Sequence, residues 1–336
     1  MASIYRSKIT DEYKTQNLVN FLDKVGDEPD KNSIYLMFGR SDSWADNELD
    51  LNFAPPYPDD SPDGQADAWH HALGFVKIPK EQLKAVLPRR DWGDFSLGAD
   101  AYRYNIGDVV VTNTINANSH PSALSGYMVY RCIDVPDVGA CTLDDVNQTF
   151  QKTDCIALGG KWNAVNTPGT INNIPNGTGD GIDTQDGYFW EYLYTIPPSE
   201  VINSVTSEYI IVPFPDDVNA DPSEWGLTNE ITYETTANRI IYSIGAHQLR
   251  FRAKLSGGDF AKLATPGNSG YRQLNILLNI LLYRKDSTFP QVKATDATYL
   301  PEQLEESSGT IIYMENRQPI FKAPDQVEEI SLIFQF

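Results

Sequence analysis

Apolar side chains recur at helical spacing in two short stretches of this chain. Between Thr10 and Gly26, Leu18, Phe21, Leu22 and Val25 fall on one face of a predicted helix. Thr10 stands at the N-cap, Asp11 and Glu12 suit the positive end of the helix dipole, and Gly26 ends the run. A shorter helix is predicted over 79–87, with Pro79 in its first turn, Leu83, Val86 and Leu87 on one side, and Pro88 closing it.

The rest of the patterned sequence reads as strand. Segments 33–38, 108–112, 127–133, 188–196, 209–212, 240–244, 249–255, 310–314 and 329–336 are short and rich in Ile, Val, Tyr and Phe, and Gly, Pro, Asn or Asp bounds nearly all of them. In the last, Ile330, Leu332, Phe334 and Phe336 alternate strictly, so one face belongs on a core. Segment 240–255 resembles a hairpin turning at Gly245-Ala246. The apolar run 274–282 has no decisive period and reads as a buried strand. Between these lie irregular stretches at 41–64, with seven acidic residues and Ala54-Pro-Pro-Tyr-Pro58, and at 163–187, rich in Asn, Gly, Thr and Asp. Loops of this length are commonly functional or interaction surfaces, or else disordered. The pattern predicts a mainly β fold whose core joins 1–88 to 240–336, with 89–239 as an inserted, loop-rich second part.

A length of 336 residues exceeds the ~100 to 200 typical of one domain, which agrees with two parts. The formal charge of −20 repels nucleic acid and anionic membrane surfaces. With 41% hydrophobic residues and 11% aromatic, the chain has the material for a packed core. The N-terminal stretch lacks the apolar segment of a secretory signal, and no apolar run reaches the ~18 residues needed to span a bilayer, so a soluble protein is expected.

Catalytic signals are sparse. Of the four histidines, His70 and His71 stand beside Asp67, but adjacent side chains diverge, so at most one can pair with it across a helical turn, and no third ligand follows at metal spacing. Cys132, Cys141 and Cys155 have eight and thirteen residues between them and form no Cys-x-x-Cys pair, which predicts three reduced thiols holding no metal. Asp180, Asp183 and Asp186 lack the alternating ligands and terminal Glu of an EF-hand loop. Nucleophile-elbow, phosphate-loop and dinucleotide fingerprints are absent from the sequence. Asp91, Asp94, Asp186 and Glu191 lie close in sequence to Trp92, Tyr188 and Trp190, a composition also compatible with a carbohydrate-binding or glycoside-cleaving β-sandwich.

A series of motifs, in order along the chain, resembles one family. They include Pro29-Asp-Lys-Asn32, Phe38-Gly-Arg-Ser41, Phe53-Ala-Pro-Pro-Tyr-Pro58, Pro88-Arg-Arg-Asp-Trp-Gly-Asp94, Val129-Tyr-Arg-Cys132, Leu158-Gly-Gly-Lys-Trp162, Trp190-Glu-Tyr-Leu193, Pro266-Gly-Asn268 and Ile312-Tyr-Met-Glu-Asn-Arg317. The family is that of the baseplate wedge protein numbered eight in the tails of T-even-type contractile-tailed bacteriophages. The match is weaker over 112–126 and 163–185. The resemblance implies a structural virion protein of the tail baseplate, assembled in the bacterial host cytoplasm. It also implies a two-layer β-sandwich with inserted segments, a homodimer, and binding to other wedge subunits during assembly and host-triggered rearrangement. It brings no catalytic residue and no cofactor. Two of its motifs mix Pro, aromatics and Arg in the manner of interface anchors, which nominates Phe53, Pro55, Pro56 and Tyr57 in one loop and Arg89, Arg90 and Trp92 in another. Internal bracing is the competing reading for both.

Overall fold

The computed structural model describes residues 9–26, 32–93, 103–113, 127–143, 146–164, 174–196, 208–213, 241–242, 244–256, 270–279, 297–305, 308–321 and 327–336. Along the chain run α1 (Asp11–Lys24), β1 (Ile34–Gly39), α2 (Pro62–His70), β2 (Ala72–Ile78), β3 (Leu83–Pro88), β4 (Val109–Asn113), β5 (Tyr127–Asp134), β6 (Gly139–Leu143) and β7 (Val146–Gln148). They are followed by α3 (Lys152–Ala157), β8 (Lys161–Ala164), β9 (Ile182–Asp183), β10 (Phe189–Ile196), β11 (Tyr209–Val212), β12 (Gln248–Ser256), β13 (Gly270–Leu278), β14 (Thr298–Tyr299), β15 (Thr310–Phe321) and β16 (Val327–Gln335). The protein is mainly β, built of antiparallel sheets with a few short helices. No described helix is long and apolar enough to cross a membrane.

The chain divides into two compact units, 16–84 with 248–336 and 1–15 with 85–247, the boundary falling inside β3. The first unit holds the sheet β14-β2-β1-β13-β15 and the β12–β16 ladder, with neighbouring strands antiparallel. Its central strand β1 is buried at all six positions, as a strand covered on both faces must be. Trp69 of α2 packs 5.0 Å from the Phe75 ring, in a cluster with Tyr35, Met37 and Tyr299. The second unit holds the antiparallel sheets β4-β5-β10-β9 and β7-β6-β8 and pairs β11 with β3. Its core joins Tyr104, Tyr130, Cys132, Trp162, Tyr188 and Trp190. The Tyr104 ring meets Trp190 at 4.9 Å and Tyr188 at 5.6 Å, both edge to face.

The helix at Thr10 forms as expected, with Tyr13 N–H donating to Thr10 Oγ1 at 3.3 Å and with Leu18, Leu22 and Val25 buried. The run at 274 is a strand through Leu278, and positions 280–282 lie outside the described residues.

Three expectations are corrected. The helix over 79–87 is instead a single 3-10 turn, Lys80–Gln82, followed by β3, because the backbone of residues 85–88 is taken by a ladder with β11 in which Val86 faces Ile211 and Leu87 faces Ile210. The hairpin over 240–255 does not form. Ile241 and Tyr242 are helical, their carbonyls accept from Ala246 N–H and Gly245 N–H at 3.1 Å each, and Gly245 turns the chain at φ +65° into β12 (Ile240 lies outside the described residues). Of the three thiols expected to be reduced, Cys141 and Cys155 are joined in a disulfide, and only Cys132 is free. Thirteen intervening residues carry no information about Cβ separation. Strand β6 and helix α3 supply it, and at Gly160 an added Cβ would stand 2.9 Å from the Cys155 sulfur. The irregular stretch 41–64 ends in helix α2, which Ser61 caps through Gly64 N–H at 3.1 Å and Pro62 opens.

Candidate functional site

The segment between β1 and α2 carries Phe53, Pro55, Pro56 and Tyr57, and side chains hold it along its length. Glu48 is buried and accepts from Arg272 Nε at 2.7 Å and from Trp44 N–H at 3.0 Å. Arg272, itself buried in β13, also donates to Ser41 O at 2.6 Å. The hydrogen bond from Arg272 holds the Glu48 carboxyl below the usual carboxylate range, outweighing the opposite push of burial. Trp44 donates its indole N–H to Arg317 O on β15 at 3.0 Å and lies under the Arg40 guanidinium, 4.5 Å away. Further on, Asn316 Nδ2 donates to Pro56 O at 3.0 Å and Gln318 Nε2 donates to Phe53 O at 3.0 Å. Two β15 amides thus hold the loop backbone where the sheet provides no ladder.

This fixation inverts the usual polarity. With Glu48 turned inward, Leu49 and Leu51 turn out, 72% and 98% exposed, and Tyr57 is 97% exposed. Phe53 and Pro55 are half-buried and Pro56 is exposed. Leu49, Leu51 and Phe53 line a shallow hollow with Asn47, Asp50 and Asn52. Sequence reasoning passed over Leu49 and Leu51. The available signal was the alternation of acid and leucine in Glu48-Leu-Asp-Leu51, which has strand spacing in a segment with no strand.

Arg89, Arg90 and Trp92 lie in the other unit and are engaged with their own chain. Arg89 grips Asp91 with two hydrogen bonds of 2.7 and 2.9 Å and sits 5.3 Å over the Tyr127 ring. Arg90 donates to Asp108 at 2.7 Å and lies 4.6 Å over Tyr104. Trp92 N–H donates to Val111 O at 2.9 Å, and its indole packs against the core around Tyr104.

The remaining polar clusters are built into turns or ion pairs. His71 is the histidine that meets Asp67, at 3.2 Å, and Asp67 also takes Arg40 at 2.6 Å. Asp183 accepts from Gln185 N–H at 2.7 Å, and Asp186 accepts from Thr184 Oγ1 at 2.6 Å, which shapes the turn before Tyr188. Glu191 accepts from Arg131 Nε at 3.0 Å, Asp91 holds Arg89, and Asp94 lies outside the described residues. Among the described residues no three His, Cys, Asp or Glu side chains are grouped to hold a metal. Burial pushes the Cys132 thiol up to about 12, with Asp108 and Asp134 adding to it, so the sulfur stays protonated at neutral pH.

The family model described as Bacteriophage T4, Gp8 matches residues 7–336. The chain belongs to the phage Gp8 family. It is 44% identical over 337 aligned residues to the baseplate wedge protein gp8 of Enterobacteria phage T4, a match covering 99% of this chain and 98% of that one. As a Gp8-family member it is a structural protein of the tail baseplate wedge and a component of the virion. The motifs that resemble the family divide by place. Val129 to Cys132 and Trp190 to Leu193 are paired strands of the second unit, Leu158 to Trp162 passes its disulfide with Gly160 close to both sulfurs and Trp162 paired with Cys141, and Phe53 to Pro58 reaches solvent.

Proposed function

We propose that this chain acts by binding: it forms a homodimer, joins other subunits of the wedge during baseplate assembly, and stays bound through the rearrangement triggered by host contact, with no turnover of its own. The observation that carries this reading is the match to a baseplate wedge protein over nearly the whole of both chains. The carboxylates that a glycoside-cleaving site would need support it further, since Asp91 and Glu191 are each committed to an arginine. Of the two nominated loops, Phe53 to Tyr57 supports partner contact, because it holds apolar side chains in water. Arg89, Arg90 and Trp92 support bracing, because their guanidinium and indole groups are already engaged.

The test is assembly. Wedges prepared without this subunit are expected to take up the purified chain in a fixed ratio, and sedimentation equilibrium of the chain alone is expected to return twice its 37.6 kDa mass. A monomer at micromolar concentrations overturns the dimer, and failure to enter wedges overturns the binding role.

A further inference from the structure

We propose that the segment from Leu49 to Tyr57 is a docking surface, and that its occupant is a neighbouring wedge subunit that receives Leu49, Leu51 and Tyr57 in an apolar pocket rimmed by Lys or Arg. The inference rests on the reading of the chain as a wedge subunit and adds to it the place and the chemistry of one contact.

Two independent features converge there. The first is the inverted polarity. A loop that folded for its own sake would bury leucine and expose glutamate, yet here Glu48 is buried against Arg272 while Leu51 and Tyr57 stand almost wholly in water. The leucines do not flop outward on a free loop. Hydrogen bonds from Trp44, Asn316 and Gln318 tie the segment to β15, and turns from Asp50 N–H to Asn47 O and from Phe53 N–H to Asp50 O, both 3.0 Å, set its shape. An apolar surface held in advance loses little freedom when a partner covers it.

The second feature is charge. Asp50 lines the hollow with the leucines, Asp46 precedes them in the chain, Asp59 and Asp60 follow Tyr57, and all four are exposed, with no cation paired to any of them among the described residues. Such a rim selects a partner whose own rim is basic, and it repels nucleic acid and anionic lipid. It also argues against a second copy of this chain. A two-fold contact centred here would bring each acidic rim against its own image.

The experiment uses the full-length chain and a wedge preparation lacking this subunit. Leu49→Ser, Leu51→Ser and Tyr57→Ser together are expected to leave the melting temperature and the sedimentation mass unchanged while weakening wedge binding at least about a hundredfold. Asp50→Lys with Asp59→Lys and Asp60→Lys is expected to weaken binding as well, and wild-type binding is expected to fall as NaCl rises from about 0.05 to about 0.5 M. Wild-type binding by the serine variant overturns the surface, and binding that is unchanged by charge reversal and salt overturns the basic rim. Conversion of the serine variant to a slower-sedimenting species reassigns the surface to a second copy and overturns the stated occupant. If the wild-type chain itself fails to bind the depleted wedges, the wedge-subunit reading fails first, and the two failures are distinguished.

Discussion

Arg272 on β13 meets Glu48 across 224 residues of chain, with both side chains less than a tenth exposed. The pair is held by more than charge. Trp44 N–H and Ser41 O add hydrogen bonds to the two groups, so the loop before α2 is anchored to β13, an inner strand of a five-stranded sheet. Removing one partner leaves the other buried and uncompensated.

Arg272→Ala is therefore expected to cost about 3–5 kcal/mol in urea unfolding. The acid limb reports the same pair. The folded-state pKa of Glu48 is depressed, chiefly by the Arg272 hydrogen bond, so its stabilisation is fully present above the unfolded value near 4.5 and is lost as pH falls through the folded value. Glu48→Gln is expected to flatten the loss of stability below about pH 4.5, read from melting temperatures across that range.

The cysteines divide by reactivity. Under native conditions near pH 8 no thiol is expected to alkylate, because Cys132 is buried and its thiol is pushed up to about 12. After denaturation without reductant one thiol per chain is expected to label, and with reductant all three of the chain's cysteines. Closing 14 residues of chain separation, the Cys141–Cys155 bond contributes about 3 kcal/mol in the loop-entropy description. Cys141→Ser with Cys155→Ser is expected to lower unfolding free energy by that order, measured by denaturant titration.

Arg89, Arg90 and Trp92 are expected to matter for folding. Their joint replacement by Ala removes the pairs with Asp91 and Asp108, the stacking on Tyr104 and the half-buried indole. Together these amount to about 2–4 kcal/mol. A clear drop in melting temperature of the isolated chain is the expected result. An unchanged melting temperature with lost wedge binding would return these residues to the interface.

Gly64→Ala reverses the usual sign of that substitution. In an open helix the change stabilises by about 1 kcal/mol. Here an added Cβ on α2 would stand 2.3 Å from Asp59 O, so the turn ahead of the helix must move. A loss of about 1–3 kcal/mol is expected, seen as a lower denaturant midpoint.

Local physics was enough for much of this protein. The α1 cap and apolar face, the β-branched and aromatic segments that became β1, β4, β5, β10, β11 and β12, and the motifs that place the chain in its family are properties of neighbouring residues, and neighbours are what a sequence displays. Choices made by distant partners were not legible. Residues 83–88 carry a spacing that suits a helix or a strand, and β11, more than a hundred positions later, took their backbone groups into a ladder. Cys141 and Cys155 became a bond because β6 and α3 meet, and the partners of Arg89 and Arg90, nominated as anchors with bracing as the competing reading, are Asp91 and Asp108. The direction in which Leu49 and Leu51 face was decided in the same way. Glu48 turned inward because Arg272 was there to receive it, and the turns that follow it leave Leu49, Asp50 and Leu51 all in water.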